Sequence, residues 1–460
     1  MAYWSEHSVG IATQTALNTP NTTDGDFKFI KATKPSVSFE TETGELELMS
    51  GQIGAANLRT VGRRGGTISF EIPLEGMIEG YDMTTATHQP GGTNQSVPMW
   101  MVLVSNAMGS KTAAVGSSTA FWEADGCSNS SYTSGGVASA TAGAVTVDNA
   151  TVSAIHKTGE FLVCADTATS TTPTFGFIKS KSGTALTLAY DSANGASLAA
   201  ASHTAGTATA FSSDDQPLPL TIRWQGENAK FCYQLTGAIC ESWAINSLDA
   251  GAIPVINFSY RFVDYNVINN KGGLSVPTDH DRVPRIIGSA NGRVILASEA
   301  SGGGPSSSTA VCGLSDVSLA WSCEQRVVPC HSSVSGVQAI QVLKQRYALS
   351  LTVPHEDVDG IYDSGGAVVA SGTGAHRWQS ALELGTKQTV AVEVGARVGK
   401  CLGIYLPSAV LTEVPGVSAD EVVSYAISLE AAAATGETSD EGAEVVGACP
   451  INAACKIGLG

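Results

Sequence analysis

The chain has 460 residues, 43% of them hydrophobic, and a net charge of −17 from 42 acidic residues against 25 lysines and arginines. A length of this order suggests about three domains, and the longest apolar run falls far short of the ~20 residues that would span a bilayer. The acidic balance, with only short basic pieces such as Arg63-Arg64 and Lys344-Gln345-Arg346, argues against a protein that grips nucleic acid through its phosphates.

Residues Met1 to Phe27 hold turn formers, Asn18-Thr19-Pro20-Asn21 and Asp24-Gly25-Asp26, with little periodicity. They read as an N-terminal arm (1–27) without a core of its own, either free or laid across a neighbouring subunit. The opening residues Met1-Ala2-Tyr3-Trp4-Ser5-Glu6-His7 have neither the basic start nor the apolar core of a secretory signal, which predicts assembly in a cytoplasm.

Strands follow near Ser36 to Glu40, Glu45 to Met49 and Thr67 to Leu74. In the last, Ile68, Phe70, Ile72 and Leu74 fall on one face and Thr67, Ser69 and Glu71 on the other, so the first set is predicted to enter a domain core. Pro73 ends the strand because proline cannot donate to a ladder. The preceding Val61-Gly62-Arg63-Arg64-Gly65-Gly66 reads as a flexible basic hairpin tip, since a phosphate-cradling glycine loop would open a helix and here a strand follows. A helix is predicted over Pro98 to Met108, closed by Gly109, with Trp100 filling the gap between helix and sheet.

From Ser110 to Ser213 the composition turns to Ala, Gly, Ser and Thr, with short strands at Gly159 to Cys164, Thr174 to Ile178 and Thr184 to Tyr190. This predicts a small inserted β domain decorating the surface. Strands resume at Leu218 to Trp224, Phe231 to Leu235, Ala238 to Trp243 and Val255 to Phe262. Beyond them the chain is irregular, apart from a strand pattern at Arg293 to Ala297, and reads as an interdomain linker.

The Thr67 to Leu74 pattern returns as Ala348 to His355, with Leu349 and Leu351 predicted inward, Ser350 and Thr352 outward and Pro354 at the end. Its surroundings return in the same order. Ser36-Val37-Ser38-Phe39 matches Asp316-Val317-Ser318-Leu319, and Glu79-Gly80-Tyr81-Asp82 matches Asp359-Gly360-Ile361-Tyr362-Asp363. The helix with Trp100 matches a predicted helix at His376 to Leu384 with Trp378, and Phe258 to Phe262 matches Tyr425 to Leu429. Two copies of one domain are therefore expected. Trp100 and Phe258 are 158 residues apart, whereas Trp378 and Tyr425 are 47 apart, so the first copy carries the insertion. The predicted division is a first domain over 28–109 and 214–265, the insertion at 110–213, a linker at 266–307, a second domain at 308–430 and a mobile acidic tail at 431–460.

No catalytic constellation stands out. His355-Glu356-Asp357 with Asp359, and Asp279-His280-Asp281, read as acids of strand-end turns, and Gly-x-Ser-x-Gly, Walker and dinucleotide motifs are missing. The ten cysteines show no Cys-x-x-Cys and no tight Cys/His cluster, so they read as isolated buried thiols, with Cys449 and Cys455 the best-placed pair for a disulfide. A non-enzymatic protein without cofactor or metal is expected.

The arm, the long hairpin ending near Ile68 to Leu74, the helix at Trp100, the returning strand at Phe258 to Phe262 and the inserted domain together resemble the tail tube protein of long-tailed bacteriophages, in its rarer two-domain form. The resemblance implies two tandem β-sandwich or barrel domains, each flanked by a helix, with three chains forming one pseudo-sixfold ring. Rings would stack into the virion tail, a hollow conduit for DNA that passes without specific binding. Partners would be further copies of the chain and the tape-measure, terminator and baseplate proteins, with no membrane insertion. On this reading Ser69, Glu71, Ser350 and Thr352 are candidates for the lumen face, while Arg63 and Arg64 are candidates for an inter-ring loop. Competing readings are a carbohydrate-binding or adhesin-like β-sandwich protein, a capsid decoration protein and a tail-terminator protein.

Overall fold

The computed structural model describes residues 8–30, 32–47, 57–76, 98–109, 137–141, 143–147, 158–165, 173–189, 203–204, 207–213, 216–226, 231–248, 252–269, 287, 292–298, 309–311, 315–330, 333, 335–354, 385, 387–395, 397, 399–414, 416–419, 423–432 and 453–460. The chain is mainly β. It begins with β1 (Ser8–Thr13), β2 (Lys28–Ile30), β3 (Thr33–Glu47) and β4 (Asn57–Pro73), followed by the helix α1 (Met99–Ala107). The inserted stretch supplies β5 (Val137–Thr141), β6 (Ala144–Val147), β7 (Phe161–Ala165), β8 (Thr174–Ser182), β9 (Ala185–Leu188), β10 (His203–Thr204) and β11 (Ala208–Phe211). Next come β12 (Leu220–Gly226), β13 (Phe231–Asn246), β14 (Val255–Phe262) and β15 (Asp264–Asn269). The second half holds β16 (Arg293–Ser298), β17 (Thr309–Val311), β18 (Ser315–Pro329), β19 (Val337–Pro354), β20 (Gln388–Val394), β21 (Leu402–Leu411), β22 (Gly416–Ala419), β23 (Val423–Ala431) and β24 (Lys456–Leu459).

Pairing sets the frame of the repeat. An inner sheet runs β3–β4–β14–β13–β18–β19–β23, with the end of β21 and then β22 beyond β23. One outer sheet is β2–β1–β12 with the first half of β13 and β15, and the other is β17–β16–β20 with the first half of β21, then β24 and β11. Thus β1, β2, β3, β4, β12, β13 and β14 have counterparts in β16, β17, β18, β19, β20, β21 and β23, in the same chain order.

The irregularities correspond as well. A bulge separates Thr33 from Ser36 against β4, and another separates Ser315 from Ser318 against β19. Each contains a non-glycine residue in the left-handed region, Lys34 at φ 48° and Asp316 at φ 55°. A second bulge lies between Leu220 and Ile222 in one copy and between Gln388 and Val390 in the other. A third inserts an extra residue in β4 opposite Thr41–Thr43, and in β19 opposite Glu324–Gln325. Because a bulge re-aims a strand and fixes local twist, three shared bulges argue for one backbone geometry used twice.

The sandwich interior follows from the alternation. Ile68, Phe70, Ile72, Leu349 and Leu351 are buried, facing Val9, Ile11 and Ile222 in the first copy and Val294, Leu296 and Val390 in the second. Helix α1 is buried from Trp100 through Ala107, as suits a helix that is apolar all round. The Trp100 indole Nε1–H donates to Glu75 O at 2.8 Å. Asn106 holds the entry to β12, donating to Leu218 O at 3.2 Å and accepting from Leu218 N at 2.9 Å. The matching helix at His376 to Leu384, Trp378 within it, and the two acidic clusters at 279–281 and 355–359 lie outside the described residues.

Several expectations change. The segment read as an arm contains β1, a core strand, and residues 14–27 are fastened to the first copy: Arg223 donates to Asp24 Oδ1 at 2.6 Å, and its guanidinium lies 3.8 Å from the Phe27 ring centre. The linker contains the greater part of β15 and all of β16, the latter the first strand of the second copy. The tail ends in β24, a buried strand between β21 and β11. Cys455 carries a free buried thiol, and Cys449, the partner expected for it, lies outside the described residues. Arg63 and Arg64 lie within β4 rather than at a hairpin tip. The neighbouring glycines serve close packing: a Cβ on Gly66 would stand 2.0 Å from Ser38 O and 2.7 Å from the Phe262 ring.

Candidate functional site

The solvent face of the inner sheet holds the residues singled out for a lumen. Ser69 is exposed between Ser36 on β3 and Ser259 on β14, and Ser350 is exposed between Ser318 on β18 and Ser428 on β23. The two copies therefore present the same serine triplet at the same register position. Glu71 and Thr352, one pleat further on, are half-buried, beside Thr33 and Asn257 in one copy and Ser315 and Ala426 in the other. Three carboxylates of this sheet have cationic neighbours: Glu71 with Lys34 at 2.8 Å, Glu241 with Arg261 at 2.6 Å, and Glu430 with Arg346 at 4.0 Å. Small hydroxyls and paired charges give this face little to hold a polyanion.

The copies meet side by side. The second half of β13 pairs with β18, Trp243 opposite Trp321 and Ile245 opposite Leu319. The two indoles stack at 6.2 Å and 12°, both fully buried. Such a ring pair adds roughly 0.5–1.5 kcal/mol beyond its burial. Trp321 Nε1 donates to Gln345 Oε1 at 3.2 Å, the Tyr347 hydroxyl donates to the same oxygen at 2.7 Å, and Gln345 Nε2 donates to Ser213 O at 2.9 Å. Sequence reading singles out Trp100 and Trp378 and misses this pair, because a tryptophan in a strand carries no mark of which strand it will meet.

The seam continues beyond the tryptophans. The far half of the β18–β19 hairpin crosses onto the first copy, where Val337, Ile340 and Val342 pack with Ile239, Val263 and Leu17. Asn18 Nδ2 donates to Val337 O at 2.8 Å, and Gln216 brackets Val342 as a strand would, donating at 3.1 Å and accepting at 2.9 Å. Cys240 and Cys323 also sit at this seam. Burial pushes the Cys323 thiol up to about 11 and the Cys240 thiol well above its usual range, which favours the protonated form of both. A groove between the two hairpins is lined by Glu40, Arg63, Arg64, Phe262, Val327 and Ile340.

The insertion is fastened more firmly than a surface decoration. Its strands β10–β7–β8–β9–β6–β5 form a sheet with one apolar face on Val145, Leu162, Ile178 and Leu186. The other face, with Phe161, Phe175 and Phe177, packs on Ile295, Ala391 and Tyr405 of the second copy. Phe161 is seated over the paired Gly403 and Gly458, where a Cβ would approach its ring to 2.5 and 2.2 Å. Phe177 stacks on Tyr405 at 5.7 Å. At the root, Ser213 N donates to Met108 O at 3.0 Å, bringing the two ends of the insertion together. An element inserted in the first copy thus covers the second.

Among the described residues no group of three His, Cys, Asp or Glu side chains is placed to hold a metal ion. The chain matches no protein-family model and no curated protein.

Proposed function

We propose that the protein is a tube-forming structural subunit of the kind its sequence resembles, a tail tube protein of a long-tailed bacteriophage. Three chains would make one pseudo-sixfold ring, and rings would stack into a conduit for DNA. The observation that carries this reading is the lateral joining of two equivalent domains into one continuous sheet, with the matching edges, β3 and the β21–β22 strand, left at its two ends. A heterologous contact of that type repeats until it closes, and closure satisfies every sheet edge. The serine triplets and matched charges support the role of the open face as a lumen past which DNA slides without specific binding. The tape-measure, terminator and baseplate proteins would engage the finished tube in the virion.

Electron microscopy of the purified protein over a range of concentrations, with mass measurement of its smallest assembly, tests this. Hollow filaments with three chains in each repeating ring are expected. Monomers or isolated trimers that never stack at any concentration would overturn the reading and favour a decoration protein.

A further inference from the structure

We propose that the free edge of β3 pairs with the β21–β22 edge of a second copy of this chain, in the register that β18 makes with β13 inside one chain; the proposal rests on the ring reading above. Correspondence of the bulges places Val37, Ser38 and Phe39 where Leu319, Ala320 and Trp321 stand in the closed seam. Pairing with β14 and β23 likewise places Gly416 and Val417 where Ala244 and Ile245 stand. Between Leu411 and Gly416 lie four residues, one more than between Cys240 and Ala244, so Val414 falls in a longer bulge at the level of Trp243.

The exposed apolar groups fit this match. Trp243 and Trp321 are each 1% exposed in the closed seam, whereas Val414 is 52% and Phe39 39% exposed at the corresponding open positions. Phe39 packs against Tyr265, Tyr233 and Phe262, ring centres 4.5, 5.4 and 6.0 Å apart, and still keeps 39% of its surface exposed. Among the described residues β3 has β4 as its one strand partner and β22 has β23 as its one strand partner. The two edges stand at opposite ends of the inner sheet, so the complement to each belongs to another copy. A long edge strand with an outward phenylalanine invites such pairing.

In this register Ser38 stands opposite Gly416. Directly opposed residues of antiparallel strands have Cα atoms ~4.5–5.5 Å apart, within disulfide reach, and nothing lies within 4 Å of a Cβ built on Gly416. The test oxidises the full chain carrying Ser38→Cys with Gly416→Cys, beside the wild-type chain and the out-of-register pair Ser36→Cys with Gly416→Cys, and the native mass of each sample is measured. Covalent dimers and trimers several-fold above both controls are expected. Rings of correct mass without in-register cross-links would overturn this seam while leaving the ring reading intact. Monomers at every concentration would overturn both.

A second variant, Val414→Glu with Phe39 kept, changes one exposed side chain. The concentration needed for assembly should rise at least tenfold, with an unchanged circular dichroism spectrum. An unchanged assembly midpoint would overturn the seam.

Discussion

The first copy fills its sandwich with aromatic rings, Phe70 lying 5.8 Å from both Phe258 and Tyr260, where the second copy places Leu351, Ile427 and Leu429. The second makes up its bulk from outside: β24 and β11 extend its outer sheet, and the phenylalanine face of the insertion covers it. Against these differences stand the shared bulges, the left-handed residues and the serine triplets. Core volume has been traded freely while strand direction and open-face chemistry have been kept. Cores tolerate apolar exchange at constant volume, but a moved bulge would turn an edge away from its partner.

The contrast is broken most severely at the seam. Trp243→Ala removes a fully buried indole and should cost about 3–5 kcal/mol, whereas Val414→Ala, at the corresponding exposed position, should stay within about 0.5 kcal/mol in the unassembled chain. Urea denaturation of both variants checks this, and equal losses would show that the two positions do not correspond.

A middle-sized effect is expected where the second copy takes its cover. Gly458→Val drives side-chain atoms into the Phe161 ring and should cost about 1–3 kcal/mol by overpacking. Hydrogen exchange should show β7 and β8 losing protection while β4 keeps its own. Loss of protection in β4 as well would mean that the insertion supports the whole chain.

The smallest effect sharpens the comparison. Asp316→Gly relieves a left-handed non-glycine residue, an advantage of about 1–2 kcal/mol, against roughly 0.5–1 kcal/mol of extra unfolded-state entropy. A net gain of about 0–1.5 kcal/mol is expected from thermal melts. Lys34→Gly should gain less, because it also loses the ion pair to Glu71. A loss in one copy beside a gain in the other would mean that the two bulges are held differently.

The repeated strand was legible, in its true register, because period-two alternation and a terminal proline survive even when side chains change. The match of its partner strands was not. Sequence comparison paired Val37 with Val317 and Phe258 with Tyr425, but the strands set Val37 level with Leu319 and Phe258 level with Ile427. Both errors are two residues, the one slip that keeps every side chain on its proper face, so alternation fixes the face and leaves the pleat open. The missed strands fail for a different reason. β1 is almost wholly buried and β24 entirely so, leaving no polar alternate positions to mark them. The glycines beside Arg63 and Arg64 read as a turn in sequence because their use, making room for Phe262, depends on a residue far along the chain. The candidate lumen residues came from alternation alone; that each serine would stand between two others depended on pairing.

The pairing of β11 with β24 has a consequence for synthesis. Ala208 lies opposite Leu459, so β11 leaves the ribosome about 250 residues before its partner. At ~5–20 residues per second this is a wait of roughly 12–50 s, against the ~1–10 μs in which a local hairpin forms. During that interval β11 and the unfinished second copy present raw strand edges in a crowded cell. The first copy, whose outer sheet is completed by the adjacent β15, can close early and serve as a template. The second is therefore the half for which a chaperone, or a cooler growth temperature, should matter most.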